Sequence, residues 1–111
     1  MAIDLKFPHE ADPDLVAEEY EPGAVEEAAK NGLTFEKLGP RKFRVHGTKL
    51  GQSVDLVTTI GKSTVAVTGD ASFLARGTVV GRLERDMPAL LRRCEKTTTA
   101  RSGGSGSKGK A

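Results

Sequence analysis

The sequence contains no tryptophan, and aromatic residues make up only 5% of the chain. A large aromatic platform for stacking bases or sugars is therefore excluded. No apolar run approaches the roughly 20 residues that span a bilayer. Asp4 and Lys6 interrupt the N-terminal residues, so these do not form the apolar stretch of a signal peptide. We therefore expect a cytoplasmic protein.

Residues suited to covalent or metal chemistry are also scarce. Cys94 is the single cysteine, which excludes a disulfide framework and favours a reducing compartment. His9 and His46 are the only histidines and have no short-range ligand spacing; we expect His9 at the surface or in a capping role, and His46 facing water. The chain has neither a Gly-x-Ser-x-Gly motif nor a phosphate-binding glycine loop. We therefore predict a non-catalytic protein without a metal ion or cofactor.

The end of the chain has little that could be buried in a core. From Thr97 onwards no apolar residue is larger than alanine, and residues 102–111 are mostly glycine, serine and lysine. Such a segment cannot bury enough apolar surface to offset the entropy lost on ordering. The sequence predicts one domain over residues 1–96 and a flexible basic tail over residues 97–111.

Charge is distributed unevenly along the chain, although the formal net charge is only +2. Residues 1–36 contain ten of the fifteen carboxylates and two basic residues, whereas the remainder contains five carboxylates and fifteen basic residues. Such parts can attract each other within one fold or between copies, or they can form a solvated acidic helix face and a basic tail.

Alternating apolar and polar residues predict a series of short strands. Examples are Ile3, Leu5 and Phe7 in the first segment, and Val65 and Val67 in the last. Each strand has one apolar face, so one face of the sheet needs a cover. We predict an α+β fold with an antiparallel sheet of four to five strands, two helices on one face and the order β-α-β-β-β-β-α.

Proline interrupts both predicted helices. Asp12 and Pro13 favour a helix start, and Asn31-Gly32 favours its end. Pro22 lies between them, which predicts either a kinked helix or an irregular first turn followed by a helix from Pro22 to Asn31. Pro88 is expected to kink or divide the last helix near Asp86.

The last helix carries the clearest pattern. Its apolar residues recur at spacings of three and four, which is typical of a helix with one buried face. These residues are Val80, Leu83, Met87, Leu90 and Cys94. Arg82 and Arg85 lie at the edge of this stripe. The stripe can cover the sheet, or it can adsorb to a hydrophobic body with the arginines at the margin.

A basic end favours a second function class, nucleic-acid binding. Its residues are Arg92, Arg93, Lys96, Arg101, Lys108 and Lys110. Flexible cationic segments hold phosphates without reading base sequence. The acidic first third of the chain and the lack of aromatic residues argue against this function.

Several segments together resemble the polyhydroxyalkanoic acid system family, a group of small bacterial proteins. The resemblance covers about residues 3–93 and is carried by Ile3–His9, Asn31–Leu33, Phe43–Val45, Gly77–Glu84 and Met87–Leu91. It implies an accessory role at intracellular polyester storage granules, through contact with the granule surface or a granule protein, and it implies no catalytic residues. A module that binds a small ligand between sheet and helix remains a further alternative.

Overall fold

The chain folds in the predicted order, β-α-β-β-β-β-α, with five strands. The structure is a computed structural model that describes residues 2–49 and 51–103. Its elements are β1 (Ala2–Pro8), α1 (Pro13–Lys30), β2 (Thr34–Gly39), β3 (Lys42–Lys49), β4 (Gln52–Ile60), β5 (Thr64–Ala71) and α2 (Phe73–Gly103). The α+β class is therefore confirmed.

All five strands form one antiparallel sheet in the order β1-β5-β4-β3-β2. Strands β2 to β5 form a meander of consecutive neighbours, and β1 pairs with β5. In the centre of the sheet Leu5 lies opposite Val67, and Val67 lies opposite Thr58. The first strand of the chain, β1, is therefore hydrogen-bonded to the last strand, β5.

One face of the sheet forms the core. Phe43, Ile60, Val65 and Val67 are almost fully buried there, and both helices contribute side chains to the same cluster. Helix α1 packs over β2, β3 and β4, whereas α2 packs over β1, β5 and β4. No described helix packs on the opposite face, which carries polar and charged side chains.

The ends of α1 are set by the residues predicted to set them. The Asp12 side chain caps the helix by accepting a hydrogen bond of 3.0 Å from the Asp14 N–H, and Pro13 occupies the first turn. At the other end Asn31 is the C-cap and Gly32 has a φ of 68°. These local signals need no tertiary partner.

One α-helix runs through Pro22, so the alternative of an irregular first turn followed by a helix from Pro22 is wrong. Because Pro22 has no N–H, the carbonyl of Glu18 loses its hydrogen-bond donor within the helix. Both residues are on the exposed side, where water can hydrogen-bond that carbonyl. Of the apolar residues Val25, Ala28 and Ala29 in the second half of α1, Ala28 alone is buried, and Val25 is 43% exposed.

Helix α2 is likewise a single helix that contains Pro88, so the expected division near Asp86 is absent. It also extends to Gly103, beyond the predicted tail boundary at Thr97. A remote contact lies in this extension, where the Thr98 hydroxyl accepts a hydrogen bond of 3.0 Å from the Asp12 N–H. The predicted flexible residues after Gly103 lie outside the described residues.

Gly69 allows β5 to pass close to β4. Its φ of 151° is in the region that favours glycine, and a Cβ there would overlap the carbonyl oxygen of Asp55. The strand continues through this position to Ala71 and pairs with neighbours on both sides. A glycine inside a strand thus marks a close backbone approach.

Candidate functional site

The apolar stripe of α2 lies against the sheet. Met87 is 3% exposed and Cys94 is 1% exposed, and the partly buried Leu83 and Leu90 pack against the same cluster. Val80 packs against a second cluster formed by Ile3, Val54 and Ala71. In the folded molecule the predicted adsorbing surface is therefore occupied by the protein's own core.

The arginines at the edge of the stripe have different surroundings. Arg82 forms an ion pair with Glu27 of α1, whereas Arg85 is 73% exposed and donates a hydrogen bond of 2.9 Å to the neighbouring Asp86. Arg93 lies 3.7 Å from Glu19 of α1. The order of these pairs along the two helices shows that α1 and α2 run antiparallel.

The basic end predicted for nucleic acids lies on the last turns of α2. Arg92, Arg93 and Lys96 are exposed there. Arg92 and Lys96 are one turn apart, and neither has an ion-pair partner among residues 2–49 and 51–103. The side chain of Arg101 and the residues Lys108 and Lys110 lie outside the described part, so the structure brings together three of the six predicted cations.

The open face of the sheet carries a network of charged side chains. Arg44 donates two hydrogen bonds, of 3.0 and 2.8 Å, to the two carboxylate oxygens of Asp55. These bonds lower the pKa of Asp55 and raise that of Arg44. His46 is on this face as expected, with its Nε2 2.5 Å from a carboxylate oxygen of Glu36. Because these partners lie on neighbouring strands, the network acts as a set of cross-strand pairs.

His9 is buried, with 4% of its surface exposed, which contradicts the expected surface position. Its Nδ1 accepts a hydrogen bond of 3.1 Å from the Ala11 N–H, so the neutral ring carries its proton on Nε2. That Nε2 donates to the Gly61 carbonyl at 3.0 Å, and the His9 N–H donates to the Ser63 carbonyl at 2.9 Å. His9 therefore fixes the turn between β4 and β5.

Cys94 does not resemble a nucleophile. Its side chain is in the core, and burial raises the pKa of its thiol. A raised pKa keeps the thiol protonated at neutral pH, and the thiolate is the reactive form. The structure therefore agrees with the prediction that Cys94 is a core residue.

A shallow cleft of about 660 Å³ lies at one end of the sheet, and the sequence pattern did not reveal it. It lies between the β2–β3 turn, the β4–β5 turn and Pro13 at the start of α1. Its cationic lining residues are Arg41, Lys42 and Lys62, and no carboxylate residue is among those that line it. We call it the basic cleft. Arg41 and Lys62 are some twenty positions apart, so no local motif joins them.

Comparisons with known proteins leave the function open. The chain matches no family model, and no curated protein or solved structure is significantly similar to it. Among the described residues, no helix combines the length and the apolar character that a membrane-spanning helix requires. The function must therefore be inferred from the residues and their arrangement.

Proposed function

We propose that this protein is a non-catalytic accessory protein of intracellular polyester storage granules, which acts in the cytoplasm and contacts the granule through the outer side of α2. Two observations support the proposal. The sequence resembles a family associated with such granules, and α2 is divided into a buried apolar side and an exposed cationic side. The second observation is the reason for proposing the outer side of α2 as the contact surface.

The outer side of α2 offers three exposed cations, Arg85, Arg92 and Lys96, at spacings of seven and four residues. The sheet does not occupy this side, because Met87 and Leu91 of the same helix are the residues that enter the core. This arrangement replaces the apolar stripe as the proposed contact surface. Contact through the stripe itself would require α2 to leave the sheet and expose the core to water.

The chemistry of a polyester surface suits these side chains. Ester carbonyl oxygens accept hydrogen bonds, and each chain ends in a carboxylate. Guanidinium groups are weakly hydrated and present several N–H donors in a planar fork, which matches carboxylates particularly well. A row of such groups on a rigid helix can therefore hold several sites of the surface at once.

Co-sedimentation with amorphous polyester particles tests this proposal. We expect the wild-type protein to sediment with the particles, and a variant with Arg85→Glu, Arg92→Glu and Lys96→Glu to remain in the supernatant. All three positions are exposed, so the variant should keep its circular dichroism spectrum. Unchanged sedimentation of this folded variant would show that the outer side of α2 is not the contact surface.

A control variant separates the position of the charges from their number. Lys6→Glu, Lys30→Glu and Arg76→Glu change the net charge by the same amount at positions outside this surface. We expect this control to sediment like the wild type. If both variants lose binding equally, the effect arises from net charge alone and the proposed surface is wrong.

Nucleic-acid binding is the second candidate, and the exposed cluster of Arg92, Arg93 and Lys96 favours it. Duplex DNA is the probe. Affinity that falls steeply with salt and is lost when these three residues are changed to glutamate would support this function. Binding to particles without binding to DNA would instead favour the granule proposal.

A further inference from the structure

The basic cleft has walls that are fixed by hydrogen bonds. The Ile60 N–H donates to the Arg41 carbonyl at 2.8 Å, which joins the end of β4 to the β2–β3 turn. His9 holds the opposite wall through the carbonyls of Gly61 and Ser63. The cations at the cleft are therefore carried by turns whose backbone is held in place.

The charges of the cleft are poorly balanced. Asp14 pairs with one of the three cations, since one of its oxygens lies 3.7 Å from Arg41 Nε. Lys42 and Lys62 are exposed and have no ion-pair partner among residues 2–49 and 51–103. The cleft therefore attracts anions.

The cleft also has an exposed apolar edge. Leu38 is 49% exposed, and Leu38 and Val25 are the large apolar side chains exposed in the described part of the chain. Leu38 lies where the pairing of β2 with β3 shifts by one residue, next to Pro40 in the turn. An apolar side chain that lines the same cleft as lysines can enter an amphipathic surface while the lysines contact its charges.

We propose that the basic cleft docks the protein on an anionic phospholipid surface, with Leu38 entering the interface and Lys42 and Lys62 contacting the lipid phosphates. The cleft is wide and shallow, so it fits a surface better than it encloses a free ligand. Charge complementarity and the exposed leucine determine this choice of partner. The proposal goes beyond the granule function and does not depend on it, because the contact surface on α2 is a different one.

Sedimentation with lipid vesicles tests the proposal. We expect the protein to bind vesicles of phosphatidylglycerol and phosphatidylcholine, and to bind pure phosphatidylcholine vesicles far more weakly. Each cation near an anionic surface contributes about fivefold to the binding constant. Lys42→Glu with Lys62→Glu should therefore weaken binding by at least about 25-fold, and Leu38→Ser by about tenfold.

Two matched variants distinguish this site from general charge effects and from the α2 surface. Lys6→Glu with Lys30→Glu changes the net charge equally and should lose much less affinity. The variant with Arg85→Glu, Arg92→Glu and Lys96→Glu should keep most of its vesicle binding even if it no longer binds polyester particles. Equal binding to both vesicle types, or full binding by the cleft variants, would overturn the proposal.

Discussion

Gly69 occupies a position where the sheet has no room for a side chain. Its neighbours on β5, Val67 and Ala71, are buried and hold the strand against β4 and β1. The strand therefore cannot move away from the Asp55 carbonyl without loss of core contacts. Strands β4 and β5 can pair here because residue 69 has a hydrogen atom where alanine would have a methyl group.

We predict that Gly69→Ala lowers the free energy of unfolding by about 3 kcal/mol, because it adds both backbone strain and a steric clash. Urea unfolding followed by circular dichroism measures the change. Gly77→Ala is the matched control, since a Cβ there would meet nothing within 4 Å beyond its chain neighbours and the backbone of its own helix. This helical control should be neutral or more stable by up to about 1 kcal/mol. Equal effects at the two positions would contradict the packing around Gly69.

Single residues were predictable where their partners are local. Asp12, Pro13 and Gly32 act on the turn next to them, so the sequence alone located both ends of α1. His9 hydrogen-bonds to the Gly61 carbonyl, far away in the sequence, and its burial could not be read from its neighbours. The same limit applies to Gly69, whose requirement for glycine comes from another strand.

At the scale of elements, the stripe of α2 shows what periodicity can and cannot predict. Spacings of three and four correctly identify the buried side of a helix. The spacings do not identify what covers that side, because an apolar helix face can pack against a sheet of the same chain or bind another surface. Here the sheet of the same chain covers it, with Met87 and Cys94 in the core.

We predict that Met87→Ala lowers the free energy of unfolding by about 2–4 kcal/mol, because truncation leaves a cavity between α2 and the sheet. Arg85→Ala, on the exposed side of the same helix, should change it by less than about 0.5 kcal/mol. Thermal or chemical denaturation compares the two variants. A small effect at Met87 would mean that α2 does not seal the core.

At the scale of the whole molecule, the uneven charge of the sequence becomes contact between two helices. Carboxylates of α1 face arginines of α2 at two levels, Glu19 with Arg93 and Glu27 with Arg82. The attraction expected between the two parts of the chain thus operates within one fold. Both pairs have exposed side chains, so each contributes little to stability.

A double-mutant cycle tests this role. We expect Glu27→Arg or Arg82→Glu alone to destabilise the protein by about 0.5–1 kcal/mol through like-charge contact, and the two together to recover most of that loss. High salt should reduce all of these differences. Denaturant midpoints at two salt concentrations provide the measurement. Strict additivity of the two single changes would show that the pair is not coupled.

The fold class could be predicted as a whole, because alternation and the spacing of turns recur in every strand. The candidate sites could not. The contact between Thr98 and Asp12 joins distant parts of the chain, and the basic cleft combines turns that only the folded sheet brings together. Both features depend on long-range hydrogen bonds and on which turns lie side by side in the fold. The sequence pattern contains neither kind of information.

The pairing of β1 with β5 affects how this protein folds while it is synthesised on the ribosome. Strands β2 to β5 can pair through short turns as they emerge, but β1 must wait for a partner about half the chain away. During that interval the edge of β4 and the apolar side of β1 have no native partner. The nascent chain is then most exposed to aggregation, and protection by a chaperone would matter most just before Ala71 emerges.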